Sequence, residues 1–165
     1  MKKFLLLFVF TFSLLISCTS EKTTTYYLIR HAEKDRTDKT NSNPNLNFEG
    51  EKRAQNWATY FKEIKLDAVY STKYNRTIQT ATPTSQEKKL EIQHYNPNKM
   101  YDSVFVNNTI GKSVLVVGHS NTTPVFVNTI LGKKKYNNMD DNDNASLYIV
   151  TIKGDKKTSI IEKVN

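Results

Sequence analysis

Cysteine is almost missing from this chain: Cys18 is the only one, so no disulfide framework can form within it. Histidine is nearly as scarce, with His31, His94 and His119 alone. So few imidazoles and a single thiol argue against a structural or catalytic metal site. The chain also lacks a basic stripe. Its formal charge is +8, but the lysines are scattered, the one tight run is Lys133 to Lys135, and no aromatics are interleaved with it. That pattern reads as solvated surface and argues against a nucleic-acid partner. "DDND", 140 to 143, lacks the spacing of a calcium-binding EF-hand loop and reads as another solvated loop. Ser120, in "GHSNT", has Thr122 where a nucleophile elbow carries its second glycine, and no histidine follows it. That argues against a serine hydrolase. Repeats and low-complexity tracts are absent as well.

What is present begins with a leader. Lys2 and Lys3 precede an apolar run from Phe4 to Leu15, broken only by Thr11 and Ser13. The run is shorter than the roughly 20 apolar residues of a membrane span and has the form of a secretory signal peptide. It ends in "LISC", residues 15 to 18, which resembles the lipobox of bacterial lipoproteins. The expected organisation is a leader over 1–17 cleaved before Cys18, a tether over 18–25, and one domain over 26–165. Cys18 is the expected lipidation site. Thr19 rather than Asp after it favours the periplasmic face of the outer membrane, so the expected location is the bacterial cell envelope. The remaining length suits a single core.

Apolar runs alternate with amphipathic segments along that domain. Tyr26–Ile29, "LDAVYS" (66–71) and "SVLVVG" (113–118) read as strands, and "SLYIVTIK" (146–153) and "SIIEKV" (159–164) as a final pair around "GDKK". Ala54, Trp57, Ala58, Phe61 and Ile64 mark one face of a helix starting near Glu49. A second helix starts near Asn75, with Pro83 expected to kink or stop it. Residues 90–99 read as irregular, with a turn at "YNPN", and Met100–Thr109 as a helix. A further helix over Thr123–Leu131 ends at Gly132. The expected fold is α/β: a three-layer α/β/α sandwich with a mainly parallel sheet.

Ligands of such sheets bind beyond strand C-termini. Arg30, His31, Ser71 and His119 all sit there, and Arg76 follows the second strand closely. Guanidinium groups match phosphate oxygens in bidentate fashion. An imidazole is a competent nucleophile toward phosphorus. A second imidazole can stabilise the charge that develops on the transferring group. His94 has no such setting and reads as structural.

"LIRHAEK", "LNFEG", "YSTKYNRTIQTA" and "VLVVGHSNTTP", in this order, resemble the histidine phosphatase superfamily, whose fold is phosphoglycerate-mutase-like. The resemblance runs from about Tyr26 to Ile152. It implies His31 as a nucleophile that becomes phosphohistidine, with Arg30, Arg76 and His119 completing a phosphate pocket and no cofactor or metal. It implies a small phosphorylated substrate, and the small size is similar to the phosphatases, including the phosphohistidine phosphatases, more than to the mutases. In the family a Glu or Asp some twenty residues past the second arginine supplies the leaving-group proton. Here that stretch reads "HYNPNKMYD", with Asn96 at the position. Asp102 is the first substitute, with Glu91 and Glu33 as others. Asn121 and Glu33 are further candidates for contacts to the phosphate or its arginines. The alternative reading is a lipoprotein that binds a phosphate ester in the same pocket with little or no turnover.

Overall fold

The computed structural model describes residues 22–164. The leader, Cys18 and the first part of the tether lie outside the described residues. Ten elements follow in order: β1 (Thr23–Arg30), α1 (Phe48–Phe61), β2 (Ala68–Ser71), α2 (Asn75–Lys88), β3 (Ile92–His94), α3 (Ser103–Thr109), β4 (Ser113–Gly118), α4 (Thr122–Leu131), β5 (Ser146–Lys153) and β6 (Lys156–Lys163). They form one sheet of order β3-β2-β4-β1-β5-β6. The pairs β3–β2, β2–β4 and β4–β1 are parallel, and β5 and β6 complete the sheet antiparallel.

The pleat divides the core in two. Tyr26, Leu28, Val114 and Val116 face one side, where Phe105 of α3 and Phe126, Val127 and Ile130 of α4 cover them. Ile29, Leu115 and Val117 face the other side, against Trp57 and Phe61 of α1 and Ala81 of α2. β4 is central and apolar on both faces, which is why "VLVV" shows no polar alternation. β6 is an edge strand that is largely exposed, and its several lysines oppose pairing with another sheet.

Local chemistry explains the boundaries. Asn47 caps α1, its side-chain oxygen accepting from the Gly50 amide at 2.9 Å, and Glu49 and Glu51 complement the dipole in the first turn. Gly50 is needed for close approach: a Cβ there would lie 2.0 Å from the Glu33 carbonyl oxygen. The same oxygen accepts from the Asn47 amide at 3.0 Å. The glycine of "LNFEG" therefore lets the start of α1 press against the backbone that follows His31. Gly132 ends α4 in the left-handed region at φ 68°.

Four expectations change. Thr23–Thr25 are not tether but the first residues of β1, paired with Lys153, Ile152 and Thr151 of β5. Pro83 does not end its helix: α2 continues to Lys88, held by the buried residues Thr77, Thr80, Ala81, Thr84 and Ser85 against its neighbours. Residues 92–94 are not irregular but a short parallel edge strand, in which half-buried Ile92 is followed by exposed Gln93 and His94, too short a run to carry an alternating signal. Ile64 lies past the end of α1, where its amide donates to the Phe61 carbonyl.

Candidate active site

Parallel pairing sets the site. Arg30 is in register with Gly118, and the His31 amide donates to the Gly118 carbonyl at 2.9 Å. The chain therefore leaves β1 and β4 side by side, and the rings of His31 and His119 stand 5.6 Å apart at 66°. Gly118 has no room for a side chain: a Cβ would meet Thr123 Oγ1 and Tyr95 Oη, each at 2.8 Å. β2 delivers Thr72 to the same edge, and Arg76 sits in the first turn of α2. Thr80 ties the two halves together, accepting from the Ala32 amide at 2.9 Å.

The His31 ring is oriented by one bond. Its Nδ1 lies 2.7 Å from the Ala32 carbonyl. A carbonyl can only accept, so Nδ1 donates and the lone pair resides on Nε2. Burial is the main force on its ionisation, lowering the pKa to about 3; the Ala32 bond opposes this, while Arg30, Arg76 and His119 add to it. His119 Nε2 lies 3.0 Å from Thr72 Oγ1. Burial first, then Arg76, Arg30 and Lys34, lower its pKa to about 4. Both imidazoles are thus neutral at pH 7, as a nucleophile requires.

This has a consequence for stability. Between about pH 6.5 and 4 the unfolded chain protonates both imidazoles while the folded chain does not. Stability falls as pH drops through that window, by roughly 4 kcal/mol from pH 7 to pH 5 for the two groups together. Denaturant titrations of wild type and the His31→Asn, His119→Asn double variant at both pH values measure it. The expected result is a pH dependence clearly shallower in the variant; equal slopes would rule out these groups as its source.

The arginines are held differently. Arg30 is 2% exposed. Its Nη1 donates to the Asp140 and Asp141 carbonyls at 3.0 and 2.7 Å, and its Nη2 to the Asp141 carboxylate at 2.7 Å. The other carboxylate oxygen of Asp141 accepts from Arg36 at 2.7 Å. Arg76 stacks on Tyr74, its guanidinium carbon 4.6 Å from the ring centroid, and the Tyr74 ring meets His119 edge-on at 5.1 Å. Arg30 Nε and Arg76 Nε and Nη1 are buried donors without a protein partner. Three orphan donors beside two neutral imidazoles fit an anion whose oxygens accept from them.

Not every candidate converges. Glu33 lines the cavity beside Arg30 and His31, but both its carboxylate oxygens accept from Arg53 Nε, at 2.8 and 2.9 Å. It orients an arginine of α1, not one beside His31. Asp102 caps α3, accepting from the Phe105 amide at 2.8 Å, and faces a separate recess with Tyr70 and His94. Helix capping, not proton transfer, is what that carboxylate does. Glu91 precedes β3 and so lies at the opposite edge of the parallel sheet. Asn96 follows β3 at the correct edge, with its Oδ1 accepting from the Asn98 amide. Asn121 is exposed and makes no side-chain cap to α4.

Other residues carry more than their sequence setting suggests. Thr72 holds His119, and Asn144 Nδ2 donates to the His31 carbonyl at 2.8 Å. Asp141, from the "DDND" segment, bridges Arg30 and Arg36. Lys34 lines the ≈ 520 Å³ cavity in front of His31. None has a signal in local composition; each depends on which loops meet. Among the described residues no three His, Cys, Asp or Glu side chains cluster as metal ligands would, and no helix is long and apolar enough to cross a membrane.

Fold and site together define an α/β protein with two imidazoles and two arginines gathered at the C-terminal edge of its parallel strands. The profile of the histidine phosphatase superfamily (branch 1) matches residues 26–96, the segment holding Arg30, His31 and Arg76. Over that segment the chain matches the histidine phosphatase superfamily. No curated protein sequence matches it. Several solved structures share the fold. The protein histidine phosphatase SixA complexed with tungstate is 15% identical at a TM-score of 0.65, over 84% of this chain and 96% of that one. A phosphoserine phosphatase variant from Entamoeba histolytica with phosphoserine is 13% identical at 0.65, over 86% and 97%. Phosphoglycerate mutase from Bacillus anthracis is 17% identical at 0.61, over 88% and 94%. At these identities the likeness is one of fold, and the names span more than one reaction.

Proposed function

We propose that the protein is a phosphatase that hydrolyses phosphate monoesters, or phosphohistidine, through a phosphohistidine intermediate on His31. The observation that carries this reading is the His31 tautomer: Nδ1 is committed to Ala32, and Nε2 keeps its lone pair beside His119 and the two arginines. Arg30 and Arg76 bind the phosphoryl oxygens, and His119 gains a proton or a hydrogen bond as charge develops on them. His31 Nε2 attacks phosphorus in line with the leaving oxygen. Water then attacks the phosphohistidine and releases phosphate. The arginines supply the positive charge that phosphoryl transfer needs, so the reaction is expected to proceed in excess EDTA.

A second reading keeps the pocket and removes turnover. It is favoured by Asn96, which has no proton to give, and by Asp141, which occupies Arg30. The test is to trap the intermediate. Acetyl phosphate should label the protein on His31 with an acid-labile, alkali-stable phosphate, located by mass spectrometry, and the label should decay by hydrolysis. Phosphate binding with no label would support the binding protein.

The envelope location is proposed from the sequence alone. The full chain, expressed in a bacterium with fatty-acid label, should carry the label at Cys18 and partition with membranes. Cys18→Ser should lose both; an unlabelled chain in the soluble fraction would overturn the anchor.

A further inference from the structure

If position 96 has no acid, another group must protonate the leaving oxygen of an alkyl phosphate, whose departure as an alkoxide is slow. The groups around the cavity can be taken in turn. Arg30, Arg36 and Arg76 do not release protons near neutral pH. Glu33 gives both oxygens to Arg53. Asp141 is engaged by Arg30 and Arg36, and although its partial burial works against them, they hold its carboxyl below the usual range. Asp35 accepts from the Thr37 amide at 2.8 Å, and that bond, with the Thr37 hydroxyl, keeps it ionised. His119 is neutral at pH 7 with its Nε2 against Thr72. Asp102 and Glu91 are elsewhere, as described above.

Lys34 remains. It lines the same cavity as Arg30 and His31. Its backbone is fixed there by a bridge to Leu46 and by the next residue, whose amide donates to the Asn45 carbonyl at 2.8 Å. Lys34 takes part in none of the ion pairs among the described residues. Its charge is close enough to lower the ionisation of His119. We propose that Lys34 is the proton donor to the leaving group, in place of the missing carboxylic acid. This rests on the phosphatase reading and adds a catalytic residue to it.

The step balances. His31 Nε2 bonds to phosphorus as the P–O bond to the leaving group breaks. The electron pair of that bond takes a proton from the Lys34 ammonium, and the alcohol departs. The resulting neutral amine accepts a proton from the water that attacks the phosphohistidine, which restores the ammonium and releases phosphate. The surroundings suit the cycle. Burial lowers the Lys34 pKa, Arg76 from α2, Arg36 from the following loop and Arg30 from β1 add to this, and Asp141 from the α4–β5 loop opposes it. A lowered ammonium pKa makes the amine form reachable during turnover.

The test compares wild type with Lys34→Met, Lys34→Arg and Tyr74→Phe on a series of phosphate monoesters, from p-nitrophenyl to simple alkyl. Beside His119 stand the Thr72 hydroxyl, far too weak an acid to donate, and the phenol of Tyr74, which the last variant tests. Lys34→Met should reduce kcat/KM for alkyl phosphates about 30-fold or more beyond its effect on p-nitrophenyl phosphate, so the dependence on leaving-group pKa steepens. Lys34→Arg should behave like Lys34→Met, because it keeps the charge and cannot give the proton. The alkaline limb of the wild-type alkyl phosphate profile should vanish in both. Equal losses on all esters, or recovery of alkyl turnover by Lys34→Arg, would show a charge that binds phosphate and overturn the proposal. A selective alkyl loss in Tyr74→Phe alone would move the role to Tyr74. No His31-dependent turnover of p-nitrophenyl phosphate in wild type would overturn the phosphatase reading itself, a result separable from the others.

Discussion

His31→Ala should reduce hydrolysis of p-nitrophenyl phosphate by about 10⁴-fold or more in kcat, measured in excess EDTA. The size follows from the role. The imidazole does not assist an attack made by water; it makes the attack, and alanine leaves nothing in its place. p-Nitrophenolate leaves without a proton, so the assay reads the nucleophile and the pocket without needing an acid. Structure should be spared. His31 is buried and neutral, and its side chain makes one hydrogen bond, to Ala32. Truncation costs packing of order 1–3 kcal/mol. A wild-type circular dichroism spectrum and a cooperative melt, lowered by about 3–10 °C, would therefore accompany the lost activity. A variant that stays folded and keeps more than about a tenth of the rate would exclude His31 as nucleophile.

Arg76→Met should separate activity from stability. The guanidinium leaves Nε and Nη1 buried without partners, and burial lowers its pKa before the nearby charges act, Tyr74 raising it and Arg30 lowering it. Unpaired buried donors cost about 1–3 kcal/mol. Methionine keeps much of the apolar stem and removes the donors, so the melting temperature should hold or rise by a few degrees. Catalysis should fall about 10³-fold in kcat/KM, since the donors that stabilise the transferring phosphoryl group are gone. Lysine should recover only part of the loss, because one ammonium cannot present the planar fork. A fall in melting temperature with activity retained would make Arg76 a structural residue.

Arg30 is the instructive contrast. Its Nη1 and Nη2 are tied to the 140–141 backbone and the Asp141 carboxylate, while its buried Nε has no protein partner. The two arginines look alike in sequence. One is braced by a loop more than a hundred residues away; the other is propped on Tyr74, two residues before it.

The strands and the site's core were legible because their causes are local. "SVLVVG" and "SLYIVTIK" match β4 and β5 residue for residue, since a continuous apolar run has few other ways to bury itself. Gly132 ends α4 as read, because the left-handed region favours glycine. Arg30, His31 and His119 could be placed together once β1 and β4 were read as parallel strands whose C-termini share one edge. β3 was not legible, because only Ile92 of its three residues packs on the core, while Gln93 and His94 are exposed. Whether Pro83 stops α2 was not legible either, because packing of its buried face outweighs the one lost hydrogen bond.

The sequence by itself therefore determined the layering, the order of the main elements and the groups able to meet phosphate, since periodicity and strand ends are properties of neighbouring residues. Tertiary structure alone decided the rest. It turned Glu33 toward Arg53, spent Asp102 on a helix cap, drew Asp141 onto Arg30 and set Lys34 at the cavity outside the ion pairs of the described residues. Which charge finds which partner depends on loops brought together from distant parts of the chain. Electrostatic pairing at a few ångströms has no counterpart in sequence spacing.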